Sequence, residues 1–157
     1  MTLEIGDTAP DITLDATSGE RFNPTAFAGE QLVVYFYPKD ATPGCTTEGQ
    51  NFRDLSDAFS AANTRIVGVS RDSLRQHENF KAKHEFGFEL VSDPDEQLCR
   101  AFDVIKLKKL YGKEHEGIER STFLIDRDGK IAAAWRKVKV DGHATEVLEA
   151  ARTLNDD

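Results

Sequence analysis

Cys45 stands in the stretch Pro38-Lys39-Asp40-Ala41-Thr42-Pro43-Gly44-Cys45-Thr46-Thr47-Glu48, directly after the apolar run Leu32 to Tyr37. A thiol attacks electrophiles as its thiolate, and a free thiol with a pKa of about 8.5 is only roughly 3% ionised at pH 7. Nucleophilic chemistry at Cys45 therefore needs neighbours that favour the anion. The start of a helix supplies N–H groups without acceptors and the positive end of the helix dipole. The Thr42 hydroxyl can donate to the sulfur or hold a substrate oxygen. A guanidinium about 4 Å from the sulfur, at an effective dielectric near 20, is worth up to roughly 4 kcal/mol. That could move a pKa by as much as about 3. Pro38 and Pro43 bend and stiffen the turn, and Pro43 leaves one fewer donor to satisfy at the helix start. Gly44 lets another group approach the backbone. The competing reading is a plain turn followed by a small core cysteine; Thr, Pro, Gly and Cys together argue against it.

The elements that must position this thiol follow from periodicity. Ile12–Ala16 reads as a short strand and the residues after it as a turn. Gln31–Pro38 is a continuous apolar strand of the kind buried on both faces. Phe52, Leu55 and Phe59 recur at helical spacing between Cys45 and Ala62. Thr64–Asp72 is the next buried strand. Ser73 can cap a helix running to Phe86, with Leu74, His77, Phe80 and His84 near one stripe. Phe88–Asp93 is strand-like, and Asp93 or Asp95 starts a helix carrying Leu98, Ala101 and Phe102. The mixed-charge segment from Val104 to Glu119 reads as a long loop. Two strands then flank the Asp128-Gly129 turn. The closing helix carries Val147, Leu148, Ala151 and Leu154 on its apolar face. A β-α-β-α-β segment followed by a hairpin and a final helix predicts a three-layer α/β sandwich. Its wiring is that of the thioredoxin class, with a β-hairpin added at the N-terminus. In such a fold Cys45 lies at the N-terminus of the helix after a buried strand.

The 157 residues fit one domain, expected to span 1–157, with enough chain for a core without disulfide staples. A formal net charge of −8 argues against nucleic-acid backbones and anionic membranes as partners. The first residues lack a cationic start and a long apolar run, which predicts a cytoplasmic protein without a targeting segment. The apolar run Leu32 to Tyr37 is too short to span a bilayer. In a reducing compartment Cys45 and Cys99 are expected to be free or transiently oxidised.

The stretch around Cys45 resembles the peroxidatic motif of peroxiredoxins, Pro-x-x-x-Thr-x-x-Cys, on Pro38, Thr42 and Cys45. The segment Gly117–Ile131 is similar to that family's second landmark, an arginine opening a strand, here Arg120. The Ala9–Asp15, Gly68–Ser73 and Leu90–Asp95 segments also match, so the resemblance covers essentially the whole chain. It is nearest to the bacterioferritin-comigratory, or PrxQ, branch. The resemblance implies a thioredoxin-like α/β fold of the peroxiredoxin type, with a central mixed sheet flanked by helices. It implies peroxide reduction by Cys45 with Thr42 and Arg120 as stabilising groups, hydrogen peroxide or organic hydroperoxides as substrate, and no metal, flavin or haem cofactor. It also implies a monomer. Glu48 resembles an acid that orients the arginine; a solvated helix glutamate is the alternative.

Many relatives carry a resolving cysteine five residues after the first, and here that position is Gln50. Cys99 lies 54 positions beyond Cys45, beside Leu98 and Ala101, and is expected to be a buried small hydrophobe. Resolution is therefore expected from another molecule: thioredoxin, glutaredoxin or a small thiol. His77, His84, His115 and His143 are scattered and predict surface or satisfied core residues rather than metal ligands. Asp126–Gly129 lacks the rest of a calcium loop and reads as a hairpin turn. A dithiol oxidoreductase would want Cys-x-x-Cys, whereas Cys45 is followed by Thr46, Thr47 and Glu48. The remaining alternative is a peroxide-sensing or chaperone-like redox binding module that uses the same cysteine.

Overall fold

A strand apolar at every position must be covered on both faces, and Gln31–Phe36 is buried at all six positions. The structure, a computed structural model, describes residues 3–156. In chain order, β1 (Leu14–Asp15) pairs antiparallel with β2 (Arg21–Phe22). Then come β3 (Gln31–Phe36), α1 (Pro43–Asp54), α2 (Ser56–Ala61), β4 (Thr64–Ser70), α3 (Leu74–His84) and β5 (Glu89–Ser92). They are succeeded by α4 (Gln97–Ala101), β6 (Ile105–Leu110), β7 (Lys113–Ile118), β8 (Ser121–Ile125), β9 (Ile131–Trp135) and α5 (His143–Asn155). Five strands form the central sheet in the order β5-β4-β3-β8-β9. β3, β4 and β5 are parallel, while β8 and β9 run antiparallel to their neighbours. This is the mixed, helix-flanked sheet expected from the sequence.

The sheet divides the core in two. Val33, Tyr35 and Tyr37 face one side, with Cys45 and Phe52 of α1, Phe59 of α2, Phe80 of α3 and Val147, Leu148 and Ala151 of α5. Leu32, Val34 and Phe36 face the other, with Leu98 and Cys99 of α4, Phe102, and Leu14 and Phe22 from the N-terminal hairpin. The parallel strands end at one edge, so the chain leaves β3, β4 and β5 at the same end of the sheet. Polar side chains collect there, as they do at the carboxyl edge of open α/β sheets.

Local chemistry accounts for the element ends. Ser73 and Gln76 close a capping box on α3, as the Ser73 cap predicted, and Glu85 in a left-handed conformation stops it. Asp93 accepts from the backbone N–H groups of Gln97 (2.8 Å) and Cys99 (2.8 Å), which anchors the first turn of α4. Two expectations need correction. The single helix from Cys45 to Ala62 is two helices broken at Leu55, where the Ser56 hydroxyl takes the Phe52 carbonyl at 3.2 Å. The expected loop from Val104 to Glu119 is the β6–β7 hairpin, turning at Tyr111 (φ 53°) and Gly112 (φ 77°). Two successive positive φ values match the right-handed twist of the strands, and β7 hid the pattern, because Lys113, Glu114, His115 and Glu116 are all polar and exposed. No helix among the described residues is long and apolar enough to cross a membrane.

Candidate active site

Leaving β3, the chain turns through Pro38, Lys39, Asp40 and Ala41 and enters α1. Thr42 is its N-cap, in extended backbone geometry, and Pro43 occupies the first helical position. The first backbone bond of α1 runs from Thr46 N to Thr42 O at 2.9 Å. The N–H groups of Gly44 and Cys45 lie before it and lack an intrahelical acceptor. Cys45 itself is 2% exposed. The Thr42 hydroxyl does not donate to the sulfur: its proton goes to Lys39 O at 2.7 Å. Its lone pairs remain available to accept a bond, which selects the second of the two roles expected for it, contact with a substrate oxygen.

Arg120 lies one residue before β8, whose Ser121 pairs with Phe36 of β3. That register brings the arginine alongside the end of β3 from which the Cys45 turn departs. Its guanidinium donates to Cys45 Sγ at 3.4 Å through one terminal nitrogen and to Glu48 Oε1 at 2.6 Å through the other. Gly44 makes room for it, since a Cβ there would come within 3.2 Å of the guanidinium. Glu48 is 1% exposed, which removes the reading of a solvated helix glutamate. Burial pushes its carboxyl up to about 7, against the pull of Arg120. Among the described residues Glu48 Oε2 has no hydrogen-bond partner. Two acidic groups thus share one cation. Pro38, half-buried, closes β3 just ahead of the turn.

Cys99 is fully buried on the opposite face of the sheet from Cys45. Burial, then the nearby Asp93 carboxylate, push its thiol well above the ordinary range. Gln50 sits half-buried in α1. His143 is a satisfied core residue: its Nε2 meets Thr122 Oγ1 at 2.8 Å, and burial pulls the imidazole down to about 4. His84 packs between Phe80 and Phe86, and His115 is exposed. Asp126 Oδ1 accepts from Asp128 N and Lys130 N, as a hairpin turn requires. Sequence reasoning missed two features. Lys108 Nζ reaches across Gly117 to Ile118 O at 2.6 Å, two residues from Arg120. His77 is fully buried against Asp40, whose position beside Pro38 was the only local hint of a role.

A lone thiol in the first turn of the helix after a buried parallel strand, facing a guanidinium from an antiparallel neighbour, defines a thiol-based oxidoreductase on a thioredoxin-like sheet. The AhpC/TSA family matches residues 5–134. Peroxiredoxin Bcp of Xanthomonas campestris is 55% identical over 150 residues, covering 96% of this chain and 94% of that protein. Peroxiredoxin Bcp of Bacillus subtilis is 49% identical over 99% of both chains. The solved Xanthomonas campestris Peroxiredoxin Q superposes with a TM-score of 0.91 at 54% identity, covering 98% of this chain and 97% of that one. The chain belongs to the AhpC/TSA family and within it to the Bcp/PrxQ peroxiredoxins, enzymes that reduce peroxides at a cysteine thiol.

Proposed function

We propose that Cys45 is the peroxidatic nucleophile, that Thr42 and Arg120 hold the peroxide, and that regeneration uses an external thiol. The observation that carries the reading is the double contact of Arg120, with Cys45 Sγ on one terminal nitrogen and Glu48 on the other. The Cys45 thiolate attacks one oxygen of a hydroperoxide ROOH. An S–O bond forms, the O–O bond breaks, and its electron pair leaves on the distal oxygen, which takes a proton to become ROH. The products are ROH and the Cys45 sulfenic acid. Arg120 and the free N–H groups of Gly44 and Cys45 supply preorganised positive charge where the leaving oxygen becomes an anion. Thr42, whose own proton is committed to Lys39 O, accepts from the O–H of the peroxide. Pro38 shapes the turn that sets these groups, and Glu48 fixes the plane of the guanidinium.

The sulfenic acid then condenses with an incoming thiol, releasing water and leaving a mixed disulfide. A second thiol displaces Cys45 and leaves as the external disulfide. Gln50 offers no local partner, and the sheet stands between Cys45 and Cys99. A direct bridge requires Cα atoms within about 7 Å. These facts favour a one-cysteine cycle with thioredoxin, glutaredoxin or a small thiol as donor. The Xanthomonas campestris relative has been solved in separate variants with different cysteines replaced, and separate replacements of Cys45 and Cys99 are the ones to make in this chain. Another structure of it comes from work on its alkyl peroxide reduction activity, which makes organic hydroperoxides substrates to test here beside hydrogen peroxide. The test is single-turnover peroxide reduction by the parent and Cys45→Ser. The serine variant is expected to be folded and inactive, because an alkoxide is not available at neutral pH. Turnover by it near the parent rate overturns the reading.

A further inference from the structure

Behind the Cys45 turn lies a buried polar cluster that the peroxide chemistry does not touch. Asp40 is 7% exposed and belongs to the turn itself. Its Oδ1 accepts from the Tyr37 hydroxyl at 2.5 Å, and its Oδ2 meets His77 Nδ1 at 2.6 Å. Its backbone N–H donates to Asp72 Oδ2 at 2.8 Å. His77, on α3, has its other ring nitrogen 2.9 Å from Val91 O on β5. Both ring nitrogens therefore face oxygen acceptors. A neutral imidazole has one N–H, so alone it would set a lone pair against one of them. The Asp40–His77 pair must hold two protons between its members, one toward Val91 O and one shared along the Nδ1–Oδ2 line. Such a pair, charge-assisted and away from water, is held in a single geometry.

The ligand atoms of Asp40, Asp72 and His77 lie within 4.8 Å of one another, a spacing a cation could also use. Hydrogen bonds already occupy them: Asp72 Oδ2 accepts from Ser70 Oγ as well as from Asp40 N. The cluster joins the ends of β3 and β4, the first turn of α3 and β5 to one residue of the catalytic turn. Its chain neighbour Ala41 has φ 64°, a conformation non-glycine residues hold only when their surroundings impose it. Thr42 and α1 come next.

We propose that His77 is a positioning residue for peroxide reduction: through Asp40 it latches the turn that places Thr42 and Cys45 against Arg120. The proposal rests on the assignment of Cys45 as the peroxidatic thiol. The latch also has a consequence for regeneration. At 2% exposure, Cys45 cannot meet a bulky thiol unless the turn opens, and the Asp40 contacts are what opening must break. Loosening the latch should slow peroxide attack and hasten capture of the sulfenic acid.

The experiment compares His77→Gln with His77→Asn. A glutamine amide reaches the place of Nε2 and keeps the bond to Val91 O but not the one to Asp40. An asparagine amide stands near Nδ1 and keeps the Asp40 bond. Single-turnover rates with hydrogen peroxide are measured per titratable Cys45 thiol, so a loss of folded protein cancels. Dimedone labelling of the preformed sulfenic acid reports opening. His77→Gln is expected to lose about 10- to 100-fold in the peroxide step, as a misplacement of about 1 Å would cause. It should also label faster with dimedone, while His77→Asn stays within a few-fold of the parent. Parent-like rates in His77→Gln, or equal losses in both variants, overturn the latch. If His77→Gln does not fold, Tyr37→Phe carries the test, since it removes the hydroxyl that bonds Asp40 Oδ1 and lies 3.4 Å from His77 Nδ1 while leaving the His77–Asp40 bond itself in place. It should lose a few-fold in rate and gain in labelling, and parent values for both overturn the proposal. A parent protein that consumes no peroxide refutes the role of Cys45 instead.

Discussion

Replacing Glu48 by glutamine isolates the energetic consequence of burying a second acid beside Arg120. Burial raises the Glu48 carboxyl from 4.5 to about 7. In the unfolded chain the carboxyl has its ordinary affinity, so between pH 4.5 and 7 the folded protein binds more protons than the unfolded one. Stability linked to this group is therefore full below pH 4.5 and is lost as pH rises through 7. At about 1.4 kcal/mol per pH unit, the loss is on the order of 3 kcal/mol. Glu48 is almost wholly buried, so solvent screening does not reduce this figure appreciably. Glutamine keeps a carbonyl oxygen for Arg120 and sets an amide where Oε2 stands, which adds an offset that does not vary with pH. His143 acts in the opposite sense: its imidazole, lowered from 6.5 to about 4, contributes stability present above pH 6.5 and lost as pH falls through 4. The two dependences overlap and largely cancel in the parent, so only the difference between parent and variant at each pH is informative. Urea unfolding of both proteins from pH 4.5 to 8.5 should show Glu48→Gln gaining on the parent by about 3 kcal/mol across that range. In thermal unfolding this is a relative rise of about 6–12 °C for a chain of this size. Parallel pH curves would refute the reasoning, because they would mean that Glu48 keeps its unfolded proton affinity in the folded site.

Arg120→Ala should slow peroxide reduction by about 100- to 1000-fold in stopped-flow assays, the usual cost of losing one preorganised donor. Arg120→Lys should recover part of that rate, since a point charge cannot serve Cys45 and Glu48 together through a planar fork. Cys99→Ser should keep most of the turnover, and mass spectrometry of the oxidised parent should find Cys45 as sulfenic acid or, with excess peroxide, sulfinic acid. A dominant Cys45–Cys99 disulfide formed as fast as turnover would reverse the one-cysteine assignment. Gly49→Ala should destabilise the protein by about 1–3 kcal/mol in denaturant titrations, because the added Cβ would sit 2.4 Å from the Phe86 ring.

The sequence alone determined the strand, turn and helix around Cys45, because each of its signals is local. An apolar run, two prolines, a glycine and helical spacing act within a few residues of one another. Chain order also made the thioredoxin-like wiring legible, and Arg120 could be named from the motif it opens. How the two landmarks meet was a tertiary decision. The pairing of Phe36 with Ser121 sets the register that delivers Arg120 to Cys45 and Glu48, and pairing partners so far apart leave no periodic trace. The β6–β7 hairpin went unread because β7 opens with four polar residues, Lys113 to Glu116, and shows no apolar alternation, on a two-stranded sheet that is largely solvated. The burial of Glu48 and the bond between Asp40 and His77, 37 positions apart, depend on α1 and α3 lying on one face of the sheet. Cys99 shows the same division. Its apolar neighbours said that it is buried, but only the alternation of β3 in the assembled sheet decided that it is buried on the side away from Cys45. Local free-energy preferences are written into neighbouring residues, whereas the face, register and partner of a side chain are settled when distant elements pack together.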